Sequence, residues 1–280
     1  MEISVVIPIY NVTKHAVKHL PLIIESLAHK YKDFELLFMV DNLHINNEIE
    51  NLIHLSKNYK QIKVHFLNKN YGQHFATLCG YYLAKGDFIV CIDEDMSKYI
   101  VEVCNTNEYK DVDVFYFYYN KNDMYKSSVR KFFSNSYKSV INNIVNLKKH
   151  STFRIISKDL RNRMLEDKHV FWNLDVMIFD NTQKVGSHTL YIPDLSVNDT
   201  TYNYKKLCQI AFEIVYEHNN IVTNLLLLLM PAVLFYSIYA NVVVTVILYV
   251  LTVMLASLFF LIKKRRTLST EQKILDALAN

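Results

Sequence analysis

The sharpest chemical cluster is Asp93-Glu94-Asp95, directly after the apolar run Phe88-Ile89-Val90-Cys91-Ile92. In an extended or tightly turned segment, residues i and i+2 reach one side, so Asp93 and Asp95 converge while Glu94 points elsewhere. Two hard carboxylates without imidazole or thiolate suit Mg²⁺ or Mn²⁺, ions that keep positions open for phosphate oxygens. A D-x-D pair alone is weak, because acidic loop ends are commonly just solvated. Its place behind a buried strand is what gives it weight. Two further polar clusters also end apolar runs: Asp41-Asn42 after Leu36-Leu37-Phe38-Met39-Val40, and Pro8-Ile9-Tyr10-Asn11. No G-x-G-x-x-G, P-loop or nucleophile-elbow pattern accompanies them, which disfavours those phosphate cradles and acyl-transfer chemistry.

The elements that position these clusters follow from periodicity. Apolar, β-branched runs at 3–9, 35–40, 62–67, 88–92 and 112–118 predict strands. Helix-length stretches at about 14–30, 45–58 and 73–84 separate the first four, and further helices are expected near 128–147 and 158–167. Strand and helix in alternation predict an α/β domain with a mainly parallel sheet and helices on both faces. In such sheets ligands bind beyond the carboxyl ends of strands, where strand order reverses. The aromatic stretch 114–119 reads as a buried strand.

Composition narrows the class. Half of the 280 residues are apolar, 21% are charged, and the net charge is +4, which excludes a disordered tail and a polybasic nucleic-acid binder. Cys79, Cys91, Cys104 and Cys208 show no metal-ligand spacing and read as buried small residues of a reducing compartment. Met1 runs straight into the first strand, so no signal peptide is expected. Glycine is scarce: four in the chain, against about 7% in proteins at large. Gly72, Gly80, Gly86 and Gly186 are therefore expected where only glycine fits.

Residues 221–262 carry no charged side chain. As one helix they would span ~63 Å, about twice the ~30 Å of hydrocarbon, so two transmembrane helices with a reversal near 237–241 are expected. Lys205 and Lys206 precede this stretch, and Lys263-Lys264-Arg265-Arg266 follow it, which puts both ends in the cytosol. Leu207, Ile210, Ala211, Ile214 and Val215 fall at helical spacing and predict an amphipathic interfacial helix. The expected organisation is a cytosolic domain (1–200), an interfacial helix (201–219), two membrane helices (220–262) and a basic cytosolic tail (263–280).

These pieces resemble a known family. Ser4-Val5-Val6-Ile7-Pro8-Ile9-Tyr10-Asn11 resembles the first strand of family-2 glycosyltransferases. Asn70, Gly72-Gln73-His74, Ala76, Gly80, Ala84 and Gly86-Asp87 through Asp93-Glu94-Asp95 resemble its central block, and Phe153-Arg154-Ile155-Ile156-Ser157 a later F-R-x-x-S element. The likeness is to the branch that moves a sugar from a nucleotide onto a polyprenyl phosphate, which includes dolichyl-phosphate mannose synthase, the bactoprenol glucosyltransferases and the undecaprenyl-phosphate aminoarabinose transferases. It implies a Rossmann-like glycosyltransferase A fold and an integral protein of the inner or plasma membrane. Pro8, Tyr10, Asn11, Asp41, Asn42, Asn70 and Gly72 would bind the nucleotide, and Asp93 and Asp95 the Mg²⁺ or Mn²⁺ on its diphosphate.

The chain departs from the family at three places. D-D-G-S becomes Asp41-Asn42-Leu43-His44, Q-x-P-P-E becomes Ser97-Lys98-Tyr99-Ile100-Val101, and the basic acceptor loop becomes 195–202, without its arginine. Arg154, then Arg130 and Lys131, are the expected cations for the lipid phosphate. The implied partners are a nucleotide sugar (UDP first, GDP or dTDP as alternatives), a polyprenyl phosphate and membrane lipids. Homo-oligomerisation is left open, and no nucleic acid is expected. The rival readings are transfer to a hydroxyl, with Asp175 or Glu166 as base, and an inactive membrane scaffold.

Overall fold

A computed structural model describes residues 1–10, 14–41, 46–119, 151–166, 173–190 and 270–279. All lie in one compact unit, drawn from 1–126, 147–196 and 269–280; a second unit, 127–146 and 197–268, falls outside the described residues. The expected membrane helices, the interfacial helix, the 195–202 loop and the 128–147 helix therefore lie outside them as well. Among the described residues no helix is long and apolar enough to cross a membrane.

Strands β1 (Ile3–Ile9), β2 (Phe34–Val40), β3 (Ile62–Phe66), β4 (Phe88–Cys91), β5 (Val114–Tyr119), β6 (Arg154–Ser157) and β7 (Val185–Leu190) form one sheet in the order β3-β2-β1-β4-β6-β5-β7. The pairings β1–β2, β1–β4, β2–β3 and β5–β7 are parallel. Strand β6 runs antiparallel between β4 and β5. Helices α1 (Lys14–Lys30), α2 (Asn47–Asn58) and α3 (Gln73–Leu83) provide the crossovers between the first four strands. The chain builds outward from β1 to β3, and α3 then returns it to β4 on the other side of β1. The order thus reverses between β1 and β4, the position where such sheets open a ligand crevice.

The sheet is covered on both faces, as every residue of β1 and β2 being buried requires. Ile3, Val5, Ile7 and Ile9 pack with Leu20, Ile23 and Leu27 of α1 and Ile49 and Leu52 of α2. Val6, one step out of phase, packs with Leu37, Met39 and the α3 residues Leu78 and Cys79. This is the two-residue alternation of strands, and each fully buried Leu, Ile or Val contributes about 1.5–3 kcal/mol. The 114–119 run is the buried strand its composition implies: Phe115 and Phe117 enter one layer, Val114 and Tyr116 the other.

Short helices complete the unit: α4 (Ile100–Asn105), α5 (Lys158–Glu166), α6 (Leu174–Asn181) and α7 (Thr270–Leu278). Asn46 caps α2 by accepting from the Ile49 amide, and Asn173 caps α6 by accepting from those of Asp175 and Val176. Helix α7 changes the expectation for the C-terminal tail. Within that tail, residues 270–278 form a helix on which Thr270, Ile274 and Ala277 are buried, the last two in the layer that holds α3.

Candidate active site

The site forms where β1 and β4 end. Asp93 follows β4, caps a 3-10 turn (Glu94–Tyr99) and is half-buried, whereas Asp95 lies within that turn and is exposed. The β4–β6 register pairs Cys91 with Arg154. Two residues further along β4, and two back along β6, the same antiparallel logic brings Asp93 opposite Thr152. Thr152 Oγ1 donates to Asp93 Oδ2 at 2.7 Å. From the other side, Gln73 Nε2, on the first turn of α3, donates to Asp93 Oδ1. The carboxylate is thus oriented by two different elements.

A second carboxylate stands at the end of β2. Asp41 is 2% exposed, and its oxygens accept from the backbone amides of Tyr71 at 2.7 Å and Gly72 at 2.6 Å. Gly72 also donates to Asn70 Oδ1 at 3.1 Å, and its φ of +91° is one that L side chains rarely adopt. Asn70 itself is exposed. Pro8 is buried within β1 opposite Met39, and Tyr10, just past the strand, is 53% exposed. The structure therefore gathers Pro8, Tyr10, Asp41, Asn70, Gly72, Asp93 and Asp95 at the carboxyl ends of β1 to β4. Asn11, Asn42, Arg130 and Lys131 lie outside the described residues.

Arg154, the first expected cation for the lipid phosphate, is buried. Its side chain is 2% exposed, its guanidinium pairs with Asp175 of α6, and its Nε donates to the Tyr81 hydroxyl at 3.2 Å. Burial works to lower its pKa, but the Asp175 charge and the neighbouring tyrosines hold it well above the ordinary value. The same burial raises the Tyr81 hydroxyl and pushes the Cys91 thiol up to about 12. Arg154 is thus a permanent cation neutralised inside the protein, not one presented to an acceptor. The same pair withdraws Asp175, 7% exposed, from service as a base.

The donor set fits a hard divalent ion. Among the described residues no group of three or more His, Cys, Asp or Glu is placed to hold a metal ion. Asp93 and Asp95 carry oxygen donors only, the donor type that suits Mg²⁺ or Mn²⁺. Motif reading missed Gln73 and Thr152 as functional partners. Gln73 lies inside the recognised block, but its role depends on where α3 begins; Thr152 becomes visible only once β6 is known to run antiparallel beside β4.

Comparison with known proteins agrees with this geometry. Residues 4–165 match the family described as glycosyl transferase family 2. Segments of 97 and 100 residues are 31% and 35% identical to undecaprenyl-phosphate 4-deoxy-4-formamido-L-arabinose transferases of Proteus mirabilis and Photorhabdus laumondii. Each match covers 34% of this chain and 29% of the relative. Glucosyl-3-phosphoglycerate synthase from Mycobacterium tuberculosis, solved in complex with UDP, superposes with a TM-score of 0.50 at 14% identity, over 77% of this chain and 78% of that one. At that identity the likeness speaks for the fold alone, a Rossmann-like glycosyltransferase A fold. The family match runs from β1 into α5 and takes in every strand end that builds the site: the chain belongs to glycosyl transferase family 2.

Proposed function

We propose that this protein is an inverting, metal-dependent glycosyltransferase that moves a sugar from a nucleotide-sugar donor, UDP-linked in the first instance, onto a polyprenyl phosphate at the cytosolic face of the membrane. The observation that carries the reading is the oriented Asp93 carboxylate, two residues before the exposed Asp95, at the strand-order reversal, where family-2 enzymes are expected to seat the donor diphosphate. When bound there, Mg²⁺ or Mn²⁺ stabilises the negative charge that develops on the leaving nucleotide. Asp93 and Asp95 hold it. Gln73 and Thr152 fix the angle of Asp93, and the exposed Tyr10 ring offers a face to the base.

The choice of acceptor rests on acid–base chemistry. A phosphate monoester with a second pKa of about 6 is largely dianionic at neutral pH and attacks without a general base. A hydroxyl would need one; of the two candidates Asp175 is paired with Arg154, which leaves only Glu166, exposed at the end of α5. The names of the two relatives point the same way. A single displacement inverts the anomeric centre.

Membrane attachment is argued from the sequence, in which residues 221–262 carry no charged side chain. Helix α7 packs in the same unit as residues 1–126 and 147–196. With residues 1–126, 147–196 and 269–280 in one unit, a membrane-crossing 221–262 stretch would cross an even number of times, as a hairpin does.

The test incubates purified protein with undecaprenyl phosphate, Mn²⁺ or Mg²⁺ and a panel of UDP-, GDP- and dTDP-sugars. Lipid-linked sugar formed by the native protein, and reduced by about 10² or more in Asp95→Asn, is the expected result. Product on a glycan hydroxyl with none on lipid would overturn the acceptor assignment.

A further inference from the structure

Helix α7 does more than close the core. Its apolar face, Ile274 and Ala277 with Thr270, is buried in the layer that contains α3. Its C-terminal end, where helix carbonyls lack intrahelical partners, is met by one residue of the loop after β3. Asn68 donates from its backbone amide to the Ala277 carbonyl at 3.1 Å and from Nδ2 to the Asp276 carbonyl at 2.6 Å. The remaining amide oxygen of Asn68 accepts from the Tyr71 hydroxyl at 3.0 Å. The backbone amide of Tyr71 and that of its neighbour Gly72 are the donors that grip Asp41. The Tyr71 ring is also fixed, stacked on Phe75 at 4.8 Å with Lys69 Nζ 4.9 Å from its centroid.

A continuous set of hydrogen bonds thus runs from the end of α7 through Asn68 and Tyr71 to Asp41. We propose that α7 is a brace for the donor-binding loop, with Asn68 as its positioning residue. Docking of the segment that follows the uncharged stretch sets the geometry in which Tyr71, Gly72 and Asp41 receive the nucleotide. The inference rests on the donor-site reading above and adds to it a residue and an element that touch no substrate. It also gives the C-terminal segment a task in catalysis: the chain emerging from 221–262 must reach the catalytic unit before the donor loop is set.

The experiment compares the full-length protein in detergent with its Asn68→Ala and Ile274→Ala variants. Asn68→Ala removes the side-chain link and leaves the core intact; Ile274→Ala loosens the helix without touching Asn68. Four readouts are taken: binding of UDP, GDP and dTDP with Mn²⁺, hydrogen exchange at the Tyr71 and Gly72 amides, turnover in the lipid-linked sugar assay, and melting temperature. Both variants should exchange those amides about tenfold faster, and Asn68→Ala should bind the nucleotide about tenfold more weakly with kcat within about twofold of native. A merely structural residue would lower the melting temperature without that split between affinity and turnover. Unchanged exchange at Tyr71 and Gly72 in both variants, or nucleotide affinity within about twofold of native in Asn68→Ala, overturns the proposal. Native protein that binds none of the three nucleotides contradicts the donor reading itself, and the exchange measurement alone then decides whether α7 braces the loop.

Discussion

The carboxylate of Asp93 is oriented before any ligand arrives, because donors from α3 and from the start of β6 hold its two oxygens. Groups fixed in advance cost little reorganisation when charge develops beside them, and this is the main means by which such sites accelerate reactions. Arg154 shows the opposite use of charge. It lies two residues from Thr152, yet it is buried against Asp175 and serves the interior. Removing one partner of a buried pair leaves the other uncompensated, so Arg154→Ala should lose about 3–5 kcal/mol of unfolding free energy, measured by denaturant titration. The double variant Arg154→Met, Asp175→Leu removes both charges and should recover most of that loss. If the double variant is as unstable as the single one, the pair is not what makes Arg154 indispensable. The sequence singled out Arg154 as a cation for the acceptor phosphate, and its ion pair with Asp175 could not be read there. The partner is 21 residues away on α6, and only the packing of that helix on the sheet brings the charges together.

At the scale of elements, the end of the sheet opposite the site is locked by Glu35. This residue of β2 is buried, accepts from Ser4 Oγ of β1 at 2.8 Å and pairs with Lys63 of β3 at 2.6 Å. It also accepts from the Lys85 amide at 2.8 Å, in the turn that enters β4. In that turn a Cβ on Gly86 would meet the Ser4 backbone nitrogen at 2.5 Å, so β4 can approach β1 only with glycine there. Burial pushes the Glu35 pKa up, but Lys63, the Lys85 amide and the Ser4 hydroxyl together hold it below the ordinary carboxyl value. The folded state therefore binds this proton less readily than the unfolded chain. Its stabilisation is fully present above the unfolded value and is lost as pH falls through the folded one. Melting curves of native protein and Glu35→Gln should differ most above the ordinary carboxyl pKa and converge as pH falls below the lowered folded value. A constant difference across that range would show that Glu35 acts through shape and not charge. The first four strands and their crossover helices were legible because their apolar periods are clean and their ends carry Asp, Asn or Gly. Strands β6 and β7 were not. One is only four residues long (Arg154–Ser157), and β7 is largely exposed and lacks the apolar alternation that marks a buried strand.

For the whole molecule, the unit holding the site is assembled from both sides of the uncharged stretch, since residues 269–280 join residues 1–126 and 147–196. Composition gave no hint of this. The tail reads as basic at 263–266, and its amphipathic character shows only when Thr270, Ile274 and Ala277 are aligned on one helical face. The family was legible because the block from Asn70 to Asp95 is long and keeps its glycines. The acceptor side was less so, since the expected basic loop has lost its arginine and the expected substitute, Arg154, is buried. The central claim is that Asp93 and Asp95 at the strand-order reversal hold the donor through a divalent ion. Calorimetric titration of UDP, GDP and dTDP into native protein with and without Mn²⁺ tests it most directly, with Asp93→Asn and Asp95→Asn alongside. The account predicts Mn²⁺-dependent binding of at least one nucleotide that weakens by about tenfold or more in each variant. Equal affinity with and without the ion, or binding unchanged in both variants, would contradict it.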